Sequence, residues 1–220
     1  MSSELKKRII TSFFLIILLY LMVNYSYILI ISLIAISIIT WIEFNSLILK
    51  IIKKNTFIDK FYKNLFKVLS LIYLALLVFF ILNIESQNTH LKIYLIYSIL
   101  VSIMSDIGGL IIGKTFKGRK LTNISPKKTI SGSIGSFLFS LILVPIFLNV
   151  FFQFDIFYLI LITLLISFTS QLGDIFISFL KRQANVKDTS DLLPGHGGFL
   201  DRIDGIIFAL PMGLLLFNIL

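Results

Sequence analysis

The sequence predicts an all-α, polytopic integral membrane protein, a helical bundle of about seven transmembrane helices. Three observations predict it. Apolar residues are 57% of the 220-residue chain, charged residues are 14%, and the mean hydropathy is +0.99. An ordinary soluble domain carries roughly 25% charged residues. The apolar residues recur in runs near the ~20 residues a helix needs to cross a bilayer core. The basic residues gather between alternate runs. The same composition excludes a disordered chain, which lacks apolar surface to bury. With Cys 0, a disulfide scaffold and a thiolate metal site are excluded too. The net charge of +9 is read as a surplus on cytoplasmic loops, and no nucleic-acid partner is expected.

The first run, 9–24, follows a basic start at Lys6, Lys7 and Arg8. It ends in Asn24-Tyr25-Ser26-Tyr27 with no small-residue cleavage site, so a retained anchor is expected rather than a signal peptide. Runs 26–49 and 66–84 follow. Between them, 50–67 alternates basic and apolar residues. It reads equally as an amphipathic helix on an anionic leaflet or as a solvated basic loop. Runs 92–113, 134–153 and 156–180 come next. The last, 203–220, is short and contains Pro211, which predicts a tilted, kinked or deeply packed helix.

Orientation follows from the loops. With the N-terminus in the cytoplasm and sides alternating, the loops 50–67, 114–133 and 181–202 share its side. Every Lys and Arg except Lys92 then lies there. That asymmetry places the polar loops in the cytoplasm of a bacterial-type inner membrane. A merged or missed pair of runs would leave it unchanged. No linker or internal repeat is visible. Residues 1–220 read as a single membrane domain, with anchoring helices over 1–100 and the catalytic helices and cytoplasmic loops over 101–220.

Acids within membrane helices are costly and mark functional sites. Asp106 lies in the fourth run, Asp174 in the sixth, and Asp201 and Asp204 open the seventh. The i, i+3 spacing puts Asp201 and Asp204 on one helix face. Asp174 lies roughly 10 Å below the cytoplasmic end of its helix. Antiparallel neighbours would bring Asp174, Asp201 and Asp204 to one depth, where an oxygen-rich cluster suits Mg²⁺. The structural alternative pairs each with Lys181, Arg182 or Arg202. Glu43 is expected to snorkel or to pair with a nearby lysine. Glu4, Glu85 and Asp155 read as loop charges.

Two polar loops flank these acids. In the 181–202 loop, Gly195, Gly197 and Gly198 permit close backbone approach. Their amides, with Lys181, Arg182, Lys187 and Arg202, form a candidate phosphate cradle. His196 could orient a phosphate, act as a base, or cap the loop. In the 114–133 loop, Lys127 and Lys128 follow Ser125-Pro126, and Thr129, Ser131 and Ser133 supply hydroxyls. The residues alone thus point to an Mg²⁺-dependent site at the cytoplasmic interface, holding a phosphorylated ligand between two basic, Gly-rich loops.

The pattern Ser178-x2-Lys181-Arg182-x4-Lys187-Asp188-x5-Pro194-Gly195-His196-Gly197-Gly198-x2-Asp201-Arg202-x-Asp204 resembles the signature of the phosphatidate cytidylyltransferase (CDP-diacylglycerol synthase) family. Ser125-Pro126-Lys127-Lys128-Thr129 resembles its second motif, and Gly173-Asp174 its acidic helix motif. The resemblance covers about residues 100–210. It departs at Ser131, where the family usually has Glu, at Ser190, where Gly is usual, and in length.

The resemblance implies that CTP and phosphatidate give CDP-diacylglycerol and pyrophosphate. It implies Asp174 and Asp201 as Mg²⁺ ligands, with Asp204 as a third ligand or a support. Lys127, Lys128, Lys181, Arg182 and Arg202 would neutralise the phosphates. His196, Gly195, Gly197 and Gly198 would shape the nucleotide pocket beside Ser125, Thr129, Lys187 and Asp188. CTP, phosphatidate and membrane lipid are the expected partners, with a homodimer as a further expectation. A CTP-dependent polyprenol kinase and an ion-coupled transporter are the rival readings. The spaced Asp-Gly and Ala-Arg pattern of CDP-alcohol phosphotransferases is not visible.

Overall fold

The computed structural model describes residues 3–54, 56–87, 89–122, 125 and 128–218, with side chains described outside 3–9, 85–91 and 218. Lys127 and Pro126 lie outside the described residues, as do the side chains of Lys6, Lys7 and Arg8. The helices are α1 (Ser3–Asn24), α2 (Ser26–Ile51), α3 (Phe57–Gln87), α4 (Thr89–Phe116), α5 (Ile130–Leu141), α6 (Leu143–Phe147), α7 (Ile156–Gln183), α8 (Leu200–Ile203) and α9 (Ile206–Asn218). Only isolated bridges, Lys120 with Thr129 and Leu193 with Gly197, interrupt this all-α architecture among the described residues.

The stretches Ser26–Ile51, Phe57–Ile84, Lys92–Phe116, Ile130–Phe147 and Ile156–Gln183 are long and apolar enough to cross a membrane. Ile10–Asn24 and Ile206–Phe217 are apolar but shorter. The protein is therefore a polytopic integral membrane protein. Five full-length spans and two shorter apolar helices stand where about seven spans are expected among the described residues.

Local chemistry explains the boundaries that differ from expectation. The basic 50–67 stretch is neither a surface helix nor a loop throughout. Thr56 and Asp59 form a reciprocal cap, with Asp59 N–H donating to Thr56 Oγ1 (3.2 Å) and Thr56 N–H to Asp59 Oδ2 (3.1 Å). The cap starts α3 at Phe57, so this stretch supplies the first turns of a membrane helix. Run 134–153 is divided. Pro145 has no N–H to offer the carbonyl of Leu141, and α5 ends at that residue. Asp155 is a cap rather than a loop charge, its Oδ2 accepting from Phe157 N–H at the start of α7 (3.2 Å). Run 203–220 divides at Asp204-Gly205 into α8 and α9, and α9 continues through Pro211.

The chain folds as two compact units, residues 1–88 with 180–203, and residues 89–179 with 204–220. The Gly-rich 180–203 segment is thus grouped with the N-terminal helices. In the first unit, α2 packs on α1, α3 and α8. Thr40, Glu43, Leu47 and Ile48 of α2 are buried, while Ile31, Ile34, Ile38 and Ile42 are exposed as a lipid-facing stripe.

In the second unit the core is aromatic at one end and small and hydroxylated at the other. Tyr94 stacks on Phe217 with centroids 4.4 Å apart, and Tyr97 and Phe151 meet edge to face at 5.1 Å. Further along α4, glycines let the helices touch. A Cβ on Gly108 would strike the carbonyl of Gly135 and the side chain of Phe139, both in α5. Ser102 pairs with Ser170 (2.7 Å), and Ser167 donates to Ser105 (3.0 Å). Small residues and interhelical hydroxyl bonds are the usual means of helix association in lipid.

Candidate functional site

The first unit builds a rigid loop from its glycines upward. His196 N–H donates to the Leu193 carbonyl (2.8 Å), closing a turn with Pro194 second and Gly195 third. Gly195 has φ +76°, which the third position of a type II turn requires. Gly197 follows at φ +83°. A Cβ on Gly198 would meet Thr189 Oγ1 and both carboxylate oxygens of Glu43. The Pro-Gly-His-Gly-Gly sequence is thus needed for backbone shape and close packing.

Two carboxylates hold this loop. Asp201 Oδ1 accepts from Lys181 Nζ at 2.6 Å. Its Oδ2 accepts from Thr189 N–H (2.8 Å), Thr189 Oγ1 (3.0 Å) and Gly198 N–H (3.0 Å). Burial alone would raise the Asp201 pKa, but Lys181 and the amides of Thr189 and Gly198 outweigh it, holding the carboxyl below its ordinary value. Glu43, from α2, is only 5% exposed. It accepts from Thr189 Oγ1 (3.0 Å), Ser190 Oγ (2.5 Å), Phe199 N–H (3.0 Å) and Leu200 N–H (2.7 Å). The Thr189 hydroxyl stands between Glu43 and Asp201 with one proton to give.

Other signature residues take more peripheral positions. His196 Nε2 lies 3.3 Å from Ser12 Oγ, and its buried Nδ1 has no protein partner. Arg202 is exposed and grips the His196 carbonyl through Nε (3.0 Å) and Nη2 (2.5 Å). Thr11 Oγ1 donates to the Pro194 carbonyl (3.0 Å), so α1 buttresses the turn. Arg182, Lys187 and Asp188 are exposed. The Asp188 side chain lies beside Gly197, where a Cβ would come within 3.1 Å of it.

The second unit has a cavity of about 390 Å³ lined by α4, α5 and α7, with Asp106, Lys128, Thr129, Ser133, Gln171 and Asp174 in its wall. Lys128 forms an ion pair with Asp174, which also accepts from Ser178 Oγ (3.3 Å). Asp106 shares the electrostatic field of Asp174 and Lys128. Lys128 is set by its backbone. Its N–H donates to the Ser125 carbonyl (3.0 Å), and its carbonyl accepts from Leu121 N–H (2.8 Å). Thr129 caps α5, its hydroxyl accepting from Gly132 N–H (3.0 Å). Ser131, where an acid is usual in the resembled family, bonds instead to the Lys117 carbonyl.

Of the sequence-derived residues, Lys181, Gly197, Gly198 and Asp201 meet in the first unit, where Glu43 and Thr189 join them, and Lys128, Thr129 and Asp174 meet in the second. Asp204 belongs to the second unit, is buried, and accepts from Gly205 N–H (2.9 Å). Its carbonyl packs against Gly173 of α7. Among the described residues, no three Asp, Glu or His side chains are grouped to hold a metal ion. Glu43 was expected to reach solvent or a lysine. It lies instead beneath the loop, and Asp106 enters the cavity beside Asp174.

Comparison with known proteins adds an independent line. The model of the cytidylyltransferase family matches residues 2–220. The chain is similar to the phosphatidate cytidylyltransferase of Bacillus subtilis (strain 168), 38% identical over 163 residues, which cover 73% of this chain and 60% of that protein. It is 39% identical to the enzyme of that name from Staphylococcus haemolyticus (strain JCSC1435) and 37% to that of Staphylococcus aureus (strain COL). Each of these two matches covers 74% of this chain and 61% of the relative. The chain thus spans about 60% of the length of the curated relatives it matches.

Proposed function

The chain belongs to the cytidylyltransferase family, and on that premise we propose that it transfers a cytidylyl group from CTP to phosphatidate, giving CDP-diacylglycerol and pyrophosphate. The observation that carries the reading is the cavity in the second unit, where a lysine, hydroxyls and two carboxylates face one space among membrane helices. A triphosphate needs the cation, and a divalent ion beside it needs the carboxylates. A phosphatidate oxygen attacks the α-phosphorus of CTP, and the bond from that phosphorus to the β-phosphate bridging oxygen breaks. The attacking phosphate is already anionic at neutral pH, so no general base is required. The work left to the protein is positioning and charge neutralisation.

The donor set fits Mg²⁺, which is usually held by one or two carboxylates plus substrate phosphate oxygens. Asp174 and Asp106 would hold it in the cavity. From the signature we propose Asp201 and Asp204 as further Mg²⁺ ligands, and in the structure the Asp201 oxygen is held by Lys181. When bound, Mg²⁺ would offset the charge building on departing pyrophosphate. Lys128 binds a phosphate oxygen, and Thr129 fixes the start of α5 beneath it. Lys181 and Arg202 hold the glycine loop in shape, Arg182, Lys187 and Asp188 are exposed around it, and His196 is partly buried against α1. The proposed setting is the inner membrane, with this chemistry on the cytoplasmic side.

Radiolabelled CTP incubated with phosphatidate and Mg²⁺ in detergent tests the reading. A CDP-lipid and pyrophosphate are expected in equal amounts. A phosphorylated lipid alcohol from CTP, or no consumption of nucleotide, would overturn it.

A further inference from the structure

We propose that the basic cavity between the end of α2 and the start of α3 binds the headgroup of an anionic phospholipid. The cap of Thr56 and Asp59 starts α3 at Phe57, and α3 packs beside α2. The cavity measures about 770 Å³ and is open to the outside, and Lys50, Lys60, Lys63 and Lys67 line it. Lys60, Lys63 and Lys67 share one face of α3 by their spacing of three and four. No acidic side chain lines the cavity among the described residues.

These lysines are set in place. Lys63 Nζ donates to the Lys54 carbonyl at 3.2 Å. Lys67 Nζ lies 5.4 Å from the ring centroid of Trp41, whose Nε1 donates to the Lys67 carbonyl at 3.1 Å. Four clustered ammonium groups repel one another until an anion enters between them.

The walls choose the kind of anion. Trp41, Ile42 and Leu49 face the same cavity. Val68, Leu69 and Ile72 of α3 are exposed and continue from it along a helix able to cross a membrane. A free phosphate would use the lysines and leave this apolar surface idle. A phospholipid uses both, with its phosphate among the lysines and its acyl chains on α2 and α3. A zwitterionic headgroup brings its own cation to the lysines and is disfavoured. The site stands independently of the transfer reaction proposed above.

Trp41 is the only tryptophan in the chain, so its fluorescence reports on this cavity. The full chain in nanodiscs is compared with brominated phosphatidylglycerol or brominated phosphatidylcholine at equal mole fraction. An association about fivefold stronger for the anionic lipid is expected, unaffected by millimolar inorganic phosphate. Equal quenching by the two lipids would overturn the proposal. Displacement of the bromolipid by inorganic phosphate would overturn the lipid assignment in favour of a soluble anion. Lys60→Gln with Lys63→Gln should abolish the preference, whereas Lys53→Gln with Lys54→Gln, outside the cavity, should preserve it. Equal loss in both pairs would mean diffuse surface attraction and would sink the site. The wild-type comparison decides the matter even where a variant fails to insert.

Discussion

The carboxylate of Asp201 accepts from an ammonium, a hydroxyl and two amides, and none of these donors can be satisfied by a neutral amide in the same way. Asp201→Asn should leave the protein in the membrane and abolish CTP turnover, measured as CDP-lipid formed by purified protein. Near-normal activity would remove Asp201 from the reaction. The depressed pKa also sets an acid limit. The folded carboxyl titrates below its unfolded value of about 3.9. Its stabilisation is complete above that value and drains as pH falls through the folded pKa. Between pH 7 and 5, thermal stability should therefore not respond to this group. In Lys181→Met the acid-induced loss should begin at higher pH, which a denaturation series against pH would show. Glu43→Gln places an amide nitrogen against the N–H of Phe199 or Leu200 whichever way it turns. We expect a loss of about 1–3 kcal/mol, read as a lower melting temperature. We expect kcat to fall more than KM for CTP, because the loop's shape is what changes.

Among the elements, the α4–α5 contact carries the cavity. Gly108 and Gly135 let the two helices approach to backbone distance, and Gly109 and Gly132 line the cavity between them. Gly135→Ala would drive a methyl into Ile112 and the Gly108 carbonyl. Overpacking of this kind costs about 1–3 kcal/mol. A lower melting temperature and weaker CTP binding should appear together, and unchanged CTP affinity would show that the cavity does not depend on this contact. Gly132 and Gly135 are places of close approach to α4. That the approach is to α4 depends on a partner helix that local pattern does not name.

For the whole molecule, the basic residues predict topology. The chain has no cysteine, so single cysteines can be introduced without background. Cysteines replacing Lys53, Lys117 or Lys187 should react with an impermeant maleimide only from the cytoplasmic side, and one replacing Lys92 only from the other. Labelling of Lys53 and Lys187 positions from opposite sides would overturn the proposed orientation. The sequence by itself determined the fold class, the family motifs and the polar segments, because a bilayer imposes ~20-residue apolar runs that are visible without any contact. The glycine turn at 195–198 was legible for the same reason, since its chemistry is local, whereas the Thr56–Asp59 cap that starts α3 was not, and the 50–67 stretch stayed open between helix and loop. Only the tertiary structure decided what each acid does. Glu43 meets Thr189 across 146 positions, and nothing near Glu43 in the chain distinguishes it from a residue reaching for water. Asp201 binds Lys181, Asp174 binds Lys128, and Asp106 joins that pair's cavity. A buried charge is settled by whichever donors the folded chain brings to it, and those donors come from helices far apart in sequence.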